Sequence, residues 1–260
     1  MTTQVKLLVD GPIARITLQG DKGIQILSAA ARRRLLEVVE QVSQSDCSVA
    51  VFAAEGRTFI AGANIDELRA LNQQTAYEDS RAGQRLMTQI ESMPQTTIAA
   101  IHSACAGGGT ELALACDLRF AAEGARIGLP ETTIGILPGW GGTVRATDLL
   151  GGAIARRLIL TGELILPAEA LKIGLVDGVF LSEQFSFQIE KVIEQVLKCA
   201  PQARCRVKHL LLKHLSRRAD IASRYEAEAR AFSECYLTAE PVEGQSAFLE
   251  KRSAKWSAKS

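Results

Sequence analysis

The chain has 260 residues, of which 47% are hydrophobic and 23% are charged, as in an ordinary globular protein. Its length allows one large core, or a core domain with a smaller appendage. Thirty basic residues balance 29 acidic ones to a net charge of +1, so the chain lacks the strong positive field expected of a protein that binds nucleic acid or anionic membranes.

The first two thirds of the chain alternate short aliphatic runs with helical patterns. Two strands are predicted at residues 6–9 and 14–18, joined by a turn. Ser28 can cap a helix that continues to residue 44 with an apolar stripe along one face. Another helix is predicted around residues 76–92, and further strands at 48–53, 97–101, 117–122 and 176–179. This order predicts an α/β fold.

The strand patterns end near Ser182, and residues 188–198, 203–215 and 221–236 are patterned as amphipathic helices. We therefore divide the chain into a core over residues 1–181 and a helical C-terminal region over residues 182–260. These helices could fold back on the core or pack against another subunit.

Targeting, redox and metal signals are weak in this sequence. The amino terminus has no apolar run of signal length, and no segment approaches the ~18 apolar residues of a membrane helix. The six cysteines form no Cys-x-x-Cys pair, and we interpret them as reduced thiols of a cytoplasmic protein. The three histidines do not lie at zinc-ligand spacing, so no metal site is predicted.

Glycine is concentrated in three clusters, and each cluster follows an aliphatic run. The clusters are Ala61-Gly62-Ala63, Ala106-Gly107-Gly108-Gly109 and Pro138-Gly139-Trp140-Gly141-Gly142. Glycine permits close approach of a ligand to the backbone, and a glycine run that opens a helix leaves N–H groups unpaired. A nucleotide-binding loop fits less well, because the Gly-Lys-Ser/Thr and spaced dinucleotide patterns are absent.

Two carboxylates accompany these clusters. Glu111 lies in the first turn of a predicted buried helix, and Glu131 lies in a loop rich in glycine and proline. Each could be a capping or turn residue, favoured by the positive end of a helix. Their separation in the sequence does not establish that they meet.

Residues 98–143 closely resemble the signature of the enoyl-CoA hydratase/isomerase (crotonase) superfamily. The resemblance rests on Ala-Cys-Ala-Gly-Gly-Gly-Thr-Glu at 104–111, Leu-Pro-Glu at 129–131 and Pro-Gly-Trp-Gly-Gly-Thr at 138–143. Segments 59–65, 161–176 and 248–252 are similar to further family motifs in the same order. The resemblance implies a spiral of ββα units whose C-terminal helices drive assembly into a homotrimer, or a hexamer of two trimers.

The resemblance also implies an activity and its residues. The N–H groups of Ala63 and Gly108 would hold a thioester oxygen, Glu111 would activate water, and Glu131 would deliver a proton. Coenzyme A would enter as part of an acyl-CoA substrate, with no tightly bound cofactor. Both glutamates are present, which favours hydration of a 2-enoyl-CoA, as in fatty-acid β-oxidation or a related acyl-CoA pathway. The alternatives are a Δ3-Δ2 enoyl-CoA isomerase and a non-catalytic acyl-CoA- or RNA-binding relative.

Contacts with coenzyme A are expected, by the same resemblance, from Lys22, Ile24, Ala61, Ala63, Asn64, Ile65 and Gly108. Lys22 is otherwise expected to be a solvated surface residue. Trp140 could line the acyl pocket or only pack in the core. Asn64 stands where many relatives have aspartate, and Gln25 stands where they have asparagine, which leaves the substrate open.

Overall fold

The computed structural model describes residues 2–216 and 221–255. Its strands form two sheets, and most of them are short. They are β1 (Thr3–Asp10), β2 (Ile13–Gly20), β3 (Val49–Glu55), β4 (Thr58–Ile60), β5 (Thr96–Ile101), β6 (Ala104–Ala106), β7 (Leu118–Ala122), β8 (Ile127–Gly128) and β9 (Gly178–Phe180). The larger sheet has the order β1-β2-β3-β5-β7-β9, and the smaller has the order β4-β6-β8. Apart from the antiparallel β1–β2 pair, all described pairs of named strands are parallel.

The helices connect and cover these sheets. They are α1 (Ala29–Ser43), α2 (Ile65–Arg69), α3 (Gln73–Ser92), α4 (Gly108–Ala115), α5 (Gly142–Leu150), α6 (Gly152–Thr161), α7 (Pro167–Lys172), α8 (Phe185–Leu197), α9 (Pro201–Ser216), α10 (Ile221–Cys235) and α11 (Glu240–Leu249). None of the helices within the two described ranges is long and apolar enough to cross a membrane.

Successive strands enter the two sheets in turn, which produces a spiral. β3, β5 and β7 join the larger sheet, and the strand that follows each of them joins the smaller sheet. Helices α2 and α3 follow β4, and α4 follows β6. The predicted α/β spiral of ββα units is therefore confirmed, whereas its trimerisation stays a prediction.

Alternation along the strands separates two apolar layers. In β3, Ala50 and Phe52 join the main core, whereas Val49 and Val51 point to the other face of the sheet. Helix α8 covers that second face with Phe185, Ile189 and Ile193. The short aliphatic strands can form here because both of their faces are covered.

The C-terminal helices differ in part from the sequence prediction. Helix α10 packs against α3 of the same chain, so this helix folds back on the core. The strand predicted at residues 176–179 is shifted toward the C-terminus. It forms as β9, whose first residue, Gly178, pairs with Phe120 of β7. An unpredicted helix, α11, covers Glu240–Leu249 and so includes the start of segment 248–252, and residues 256–260 lie outside the described part of the chain. The proposed boundary at residues 181 and 182 stays a prediction.

Candidate active site

The candidate site lies at the carboxyl edge of the smaller sheet. Because β4, β6 and β8 are parallel, the loops that follow them emerge at the same edge, where ligands commonly bind in α/β proteins. These loops carry Ala63, Gly108 and Glu131. The first two loops also lie close together, since a Cβ built on Gly107 would lie 3.9 Å from Gly62 Cα. The fold thus brings together three residues that are far apart in the sequence.

Two backbone N–H groups of these loops are available to a ligand. Ala63 and Gly108 both line a cavity of about 310 Å³. Gly62 and Gly107, which precede them, have φ angles of +126° and +54°, and such angles favour glycine. Gly108 is the first residue of α4 and so has no acceptor within that helix. Among the described residues, none accepts a hydrogen bond from either of these N–H groups.

Glu111 lies on α4 at the same cavity and is only 2% exposed. Its Oε1 accepts hydrogen bonds from the N–H groups of Trp140, at 2.7 Å, and Gly142, at 2.8 Å. Glycine at position 142 leaves room for Glu111, because a Cβ there would lie 2.9 Å from Glu111 Oε1. Burial, and then the neighbouring charge of Glu131, raise the pKa of Glu111 well above its usual range. The two backbone donors act in the opposite direction by stabilising the ionised form.

Glu131 begins the short 3₁₀ helix Glu131–Ile134 and also lines the cavity. It is 8% exposed, and its Oε2 is buried without a hydrogen-bond partner within the described residues. Burial raises the pKa of Glu131 to about 8. A protonated carboxyl group at this position can therefore exist at neutral pH. A Cβ on Gly107 would lie 3.0 Å from Glu131 Oε1, so the glycine also makes room for this side chain.

Trp140 forms one wall of the cavity and is also a packing residue, so both sequence interpretations apply. Its ring lies between Gly83 of α3 and Gly108, where added Cβ atoms would come within 2.1 and 2.2 Å of ring carbons. The Arg32 guanidinium stacks 4.4 Å from the ring centroid, and the indole N–H donates to Asp79 Oδ2 at 3.1 Å. The ring is thus held from several sides.

Other apolar side chains complete the cavity wall. They are Ile26, Ile65, Leu68, Ile134, Ile136, Leu137, Phe232 and Phe248. Such a wall suits an apolar group placed next to the two carboxylates.

The residues expected to contact coenzyme A divide into two sets. The residues that line the cavity are Ile24, Ala61, Ala63, Ile65 and Gly108. Lys22 and Asn64 are absent from the described lining of the cavity. Lys22 is exposed in a left-handed turn with φ of 55°, and Asn64 Oδ1 accepts from Asp66 N–H at 3.0 Å to cap α2. Their contacts with coenzyme A stay predictions.

Gln25, which departs from the family pattern, has a structural role. Its side chain is fully buried, and it bridges two strands of the spiral. The amide nitrogen donates to the carbonyl of Glu55, and Thr58 Oγ1 donates to Gln25 Oε1 at 2.7 Å. The backbone of Gln25 also accepts from Ala61 N–H at 2.8 Å, which holds the first loop of the site.

The sequence interpretation did not identify the residues that the C-terminal helices contribute to the site. Phe232 of α10 and Phe248 of α11 line the cavity, and Glu228 of α10 is buried behind it. Glu228 lies three residues after Tyr225 and four before Phe232, in one apolar stripe of the helix. The position of a carboxylate within an otherwise apolar stripe was the feature of the sequence that could have indicated that Glu228 is buried at the site.

No group of three or more His, Cys, Asp or Glu side chains in residues 2–216 and 221–255 is arranged to hold a metal ion.

Comparison with known proteins identifies the family. Residues 9–259 match the enoyl-CoA hydratase/isomerase family. The chain is 35% identical to crotonyl-CoA hydratase from Syntrophomonas wolfei, over 90% of this chain and 91% of that protein. It is 31% identical to short-chain-enoyl-CoA hydratase from Clostridium acetobutylicum, over 94% and 93% of the two chains. The crystal structure of enoyl-CoA hydratase from Bacillus anthracis superposes with a TM-score of 0.77 at 31% identity, covering 97% and 98% of the two chains. The predicted superfamily is confirmed: this chain belongs to the enoyl-CoA hydratase/isomerase family.

Proposed function

We propose that this protein is an enoyl-CoA hydratase, a hydro-lyase that adds water across the 2,3 double bond of a 2-enoyl-CoA to give a 3-hydroxyacyl-CoA. The observation that carries the proposal is the meeting of Glu111 and Glu131 at one cavity that also exposes two free backbone N–H groups. Relatives that are named short-chain-enoyl-CoA and crotonyl-CoA hydratases support it.

The N–H groups of Ala63 and Gly108 would bind the thioester carbonyl oxygen. Attack of water at C3 moves negative charge onto this oxygen, and donors that are already in place stabilise the resulting enolate without reorganisation. Because backbone groups supply these donors, the motif requires small residues rather than particular polar side chains.

The two carboxyl groups would divide the proton transfers. Glu111 accepts two backbone N–H groups, which favour its ionised form and suit it to remove a proton from water. Its raised pKa makes it a stronger base than an exposed carboxylate. The water oxygen bonds to C3 as its proton passes to Glu111. Glu131, with a pKa of about 8, would give its proton to C2. Transfer of a proton from Glu111 to Glu131 then restores the starting state.

Substrate, assembly and location belong to the same proposal. Coenzyme A would be part of the substrate, with no tightly bound cofactor, and the pathway would be fatty-acid β-oxidation or a related degradation of acyl-CoA. Val207, Leu210 and Leu211 of α9 are exposed in the single chain. This apolar surface supports packing of a homotrimer, or a dimer of trimers, through the C-terminal helices. The protein would act in the cytoplasm, without nucleic-acid or membrane partners.

The test is hydration of crotonyl-CoA by the purified protein, followed as loss of absorbance of the conjugated enoyl thioester. Glu111→Gln and Glu131→Gln should each suppress the reaction, whereas Gly124→Ala, at an exposed turn with room for a Cβ, should not. Parallel assays with a 3-enoyl-CoA and with RNA examine the two alternatives. The hydratase proposal fails if micromolar protein hydrates no short, medium or aromatic 2-enoyl-CoA.

A further inference from the structure

A third buried carboxylate, Glu228, faces the loop that binds Glu111. Four consecutive residues of this loop, Trp140 to Thr143, direct their N–H groups alternately to the two glutamates. Trp140 and Gly142 donate to Glu111 at 2.7 and 2.8 Å. Gly141 and Thr143 donate to Glu228 at 2.7 and 3.0 Å. The amino-terminal end of α5 therefore lies between two carboxylates.

The alternation depends on the backbone at Gly141, the residue before α5. Its φ of +105° and ψ of 7° place it in the left-handed region, so successive N–H groups point to opposite sides. A Cβ at this position would lie 2.1 Å from Arg145 Nη1, which also favours glycine. The first turn of a helix has unpaired N–H groups, and here both carboxylates bind them.

The side chain of Glu228 accepts hydrogen bonds from several donors. Besides the two backbone groups, Thr143 Oγ1 donates to Oε2 and Gln84 Nε2 donates to Oε1 at 3.2 Å. These four donors favour the ionised carboxylate, although burial raises the pKa of Glu228 above its usual value. Glu228 is 5% exposed and does not belong to the described cavity wall, to which Phe232, one helical turn further on, contributes. It can act only through its neighbours.

We propose that Glu228 is a positioning residue. By binding Gly141 and Thr143 it fixes the loop so that the N–H groups of Trp140 and Gly142 hold Glu111 toward the reacting water. This inference rests on the proposed hydratase activity, and it assigns to α10 a role in the chemistry as well as in packing.

The test compares Glu228→Gln with Glu228→Asp. Glutamine keeps the size of the side chain but presents an amide NH₂ to donors, so one pair of donors loses its acceptor and the loop moves. We expect kcat for crotonyl-CoA to fall roughly 10- to 100-fold, as for small misplacements of catalytic groups. KM should change little, because Glu228 does not touch the cavity. Aspartate keeps the charge and should restore part of kcat.

The pH profile separates a positioning role from a merely structural one. The charged and titratable groups around Glu228 are Glu111, Glu131, Arg145 and Tyr225. Since the charge of Glu228 raises the pKa of both Glu111 and Glu131, its removal should shift the acid limb of the kcat profile to lower pH. A loss of folded protein would leave that limb in place.

Tyr225→Phe is the matched control on the same helix. It removes a buried hydroxyl that has no partner within the described residues, and it keeps the ring that lies 5.1 Å from the Arg145 guanidinium. Its kcat and pH profile should equal those of the unaltered protein.

The outcomes distinguish the two proposals. An unaltered protein that hydrates no enoyl-CoA overturns the proposed function. An active protein whose folded Glu228→Gln variant keeps its kcat and pH profile overturns the role of Glu228. In a Glu111→Gln background, Glu228→Gln should cost no further activity, and a full multiplicative loss would also overturn it. If Glu228→Gln does not fold, the aspartate variant decides, because an unchanged kcat with this shorter side chain contradicts positioning.

Discussion

Replacement of Gly108 by alanine tests whether its N–H group stabilises the reaction. A Cβ at this position would lie 2.2 Å from Trp140 Cζ3 and 2.7 Å from Cε3. Carbon atoms in ordinary contact are about 3.5–4.0 Å apart, so the ring or the backbone must move by more than about 1 Å.

The ring has little freedom to make this movement. Gly83 packs on it so closely that a Cβ there would come within 2.1 Å of Cδ1. Asp79 accepts its indole N–H at 3.1 Å, and Arg32 stacks on its face. The backbone at Gly108 should therefore move and turn its N–H away from the thioester oxygen. Loss of one such donor costs about 3–4 kcal/mol, or a 100- to 1000-fold lower kcat.

The assay is the rate of crotonyl-CoA hydration, measured with folded protein of confirmed secondary structure. Gly83→Ala is the comparison, since it presses on the same ring from α3 without altering the backbone of residue 108. It should change KM and stability more than kcat. A folded Gly108→Ala variant that keeps more than about a tenth of kcat would refute the assignment, because a lost oxyanion donor costs at least about 100-fold.

The remaining predictions concern Glu131 and Trp140. Glu131→Gln should lower hydration about 100-fold or more, the usual contribution of a general acid, in the crotonyl-CoA assay; full activity would contradict its role. The proposed mechanism requires a proton on Glu131, whose pKa is raised to about 8. We therefore expect kcat to decline as the pH rises above about 8. The raised pKa of Glu131 adds a contribution to stability that is fully present below pH 4.5 and is lost as the pH rises through about 8; thermal unfolding should therefore show a smaller loss over this range in Glu131→Gln than in the unaltered protein. Trp140→Ala should lower the free energy of unfolding by about 3–5 kcal/mol in urea titrations and raise activity on longer enoyl-CoAs relative to crotonyl-CoA; an unchanged ratio would exclude Trp140 as the limit of the acyl pocket.

The larger sheet was predictable because its strands have a readable pattern. Runs such as residues 97–101 are long enough to show β-branched and aliphatic residues bounded by turns. In contrast, β4, β6 and β8 contain only two or three residues each, and β4 and β6 adjoin glycine clusters. Their pairing depends on the larger sheet that precedes them, and no local pattern predicts them. These unpredicted strands are the ones that carry the site loops.

The candidate site was predictable where it is local and not where it depends on packing. Glu111 and its glycine cluster are adjacent in the sequence, and family resemblance joined them to Glu131. Glu228 comes from a helix whose position is set by its packing against α3. Asn64 stands where many relatives have aspartate, and the sequence does not show what this difference does. The structure shows that Asn64 caps α2, a role that aspartate or asparagine fills equally well.

The glycine clusters and the buried carboxylates have one physical explanation. Three carboxylates, Glu111, Glu131 and Glu228, are buried within range of each other's charge, which would be strongly unfavourable without compensating donors. Backbone N–H groups bind two of them, and only Glu131 keeps a buried oxygen without a partner in the described chain. That difference suits Glu131 to the proton-donor role in the proposed mechanism. In the proposed mechanism, the small residues that supply the backbone donors would also separate the role of Glu111 as base from that of Glu131 as acid.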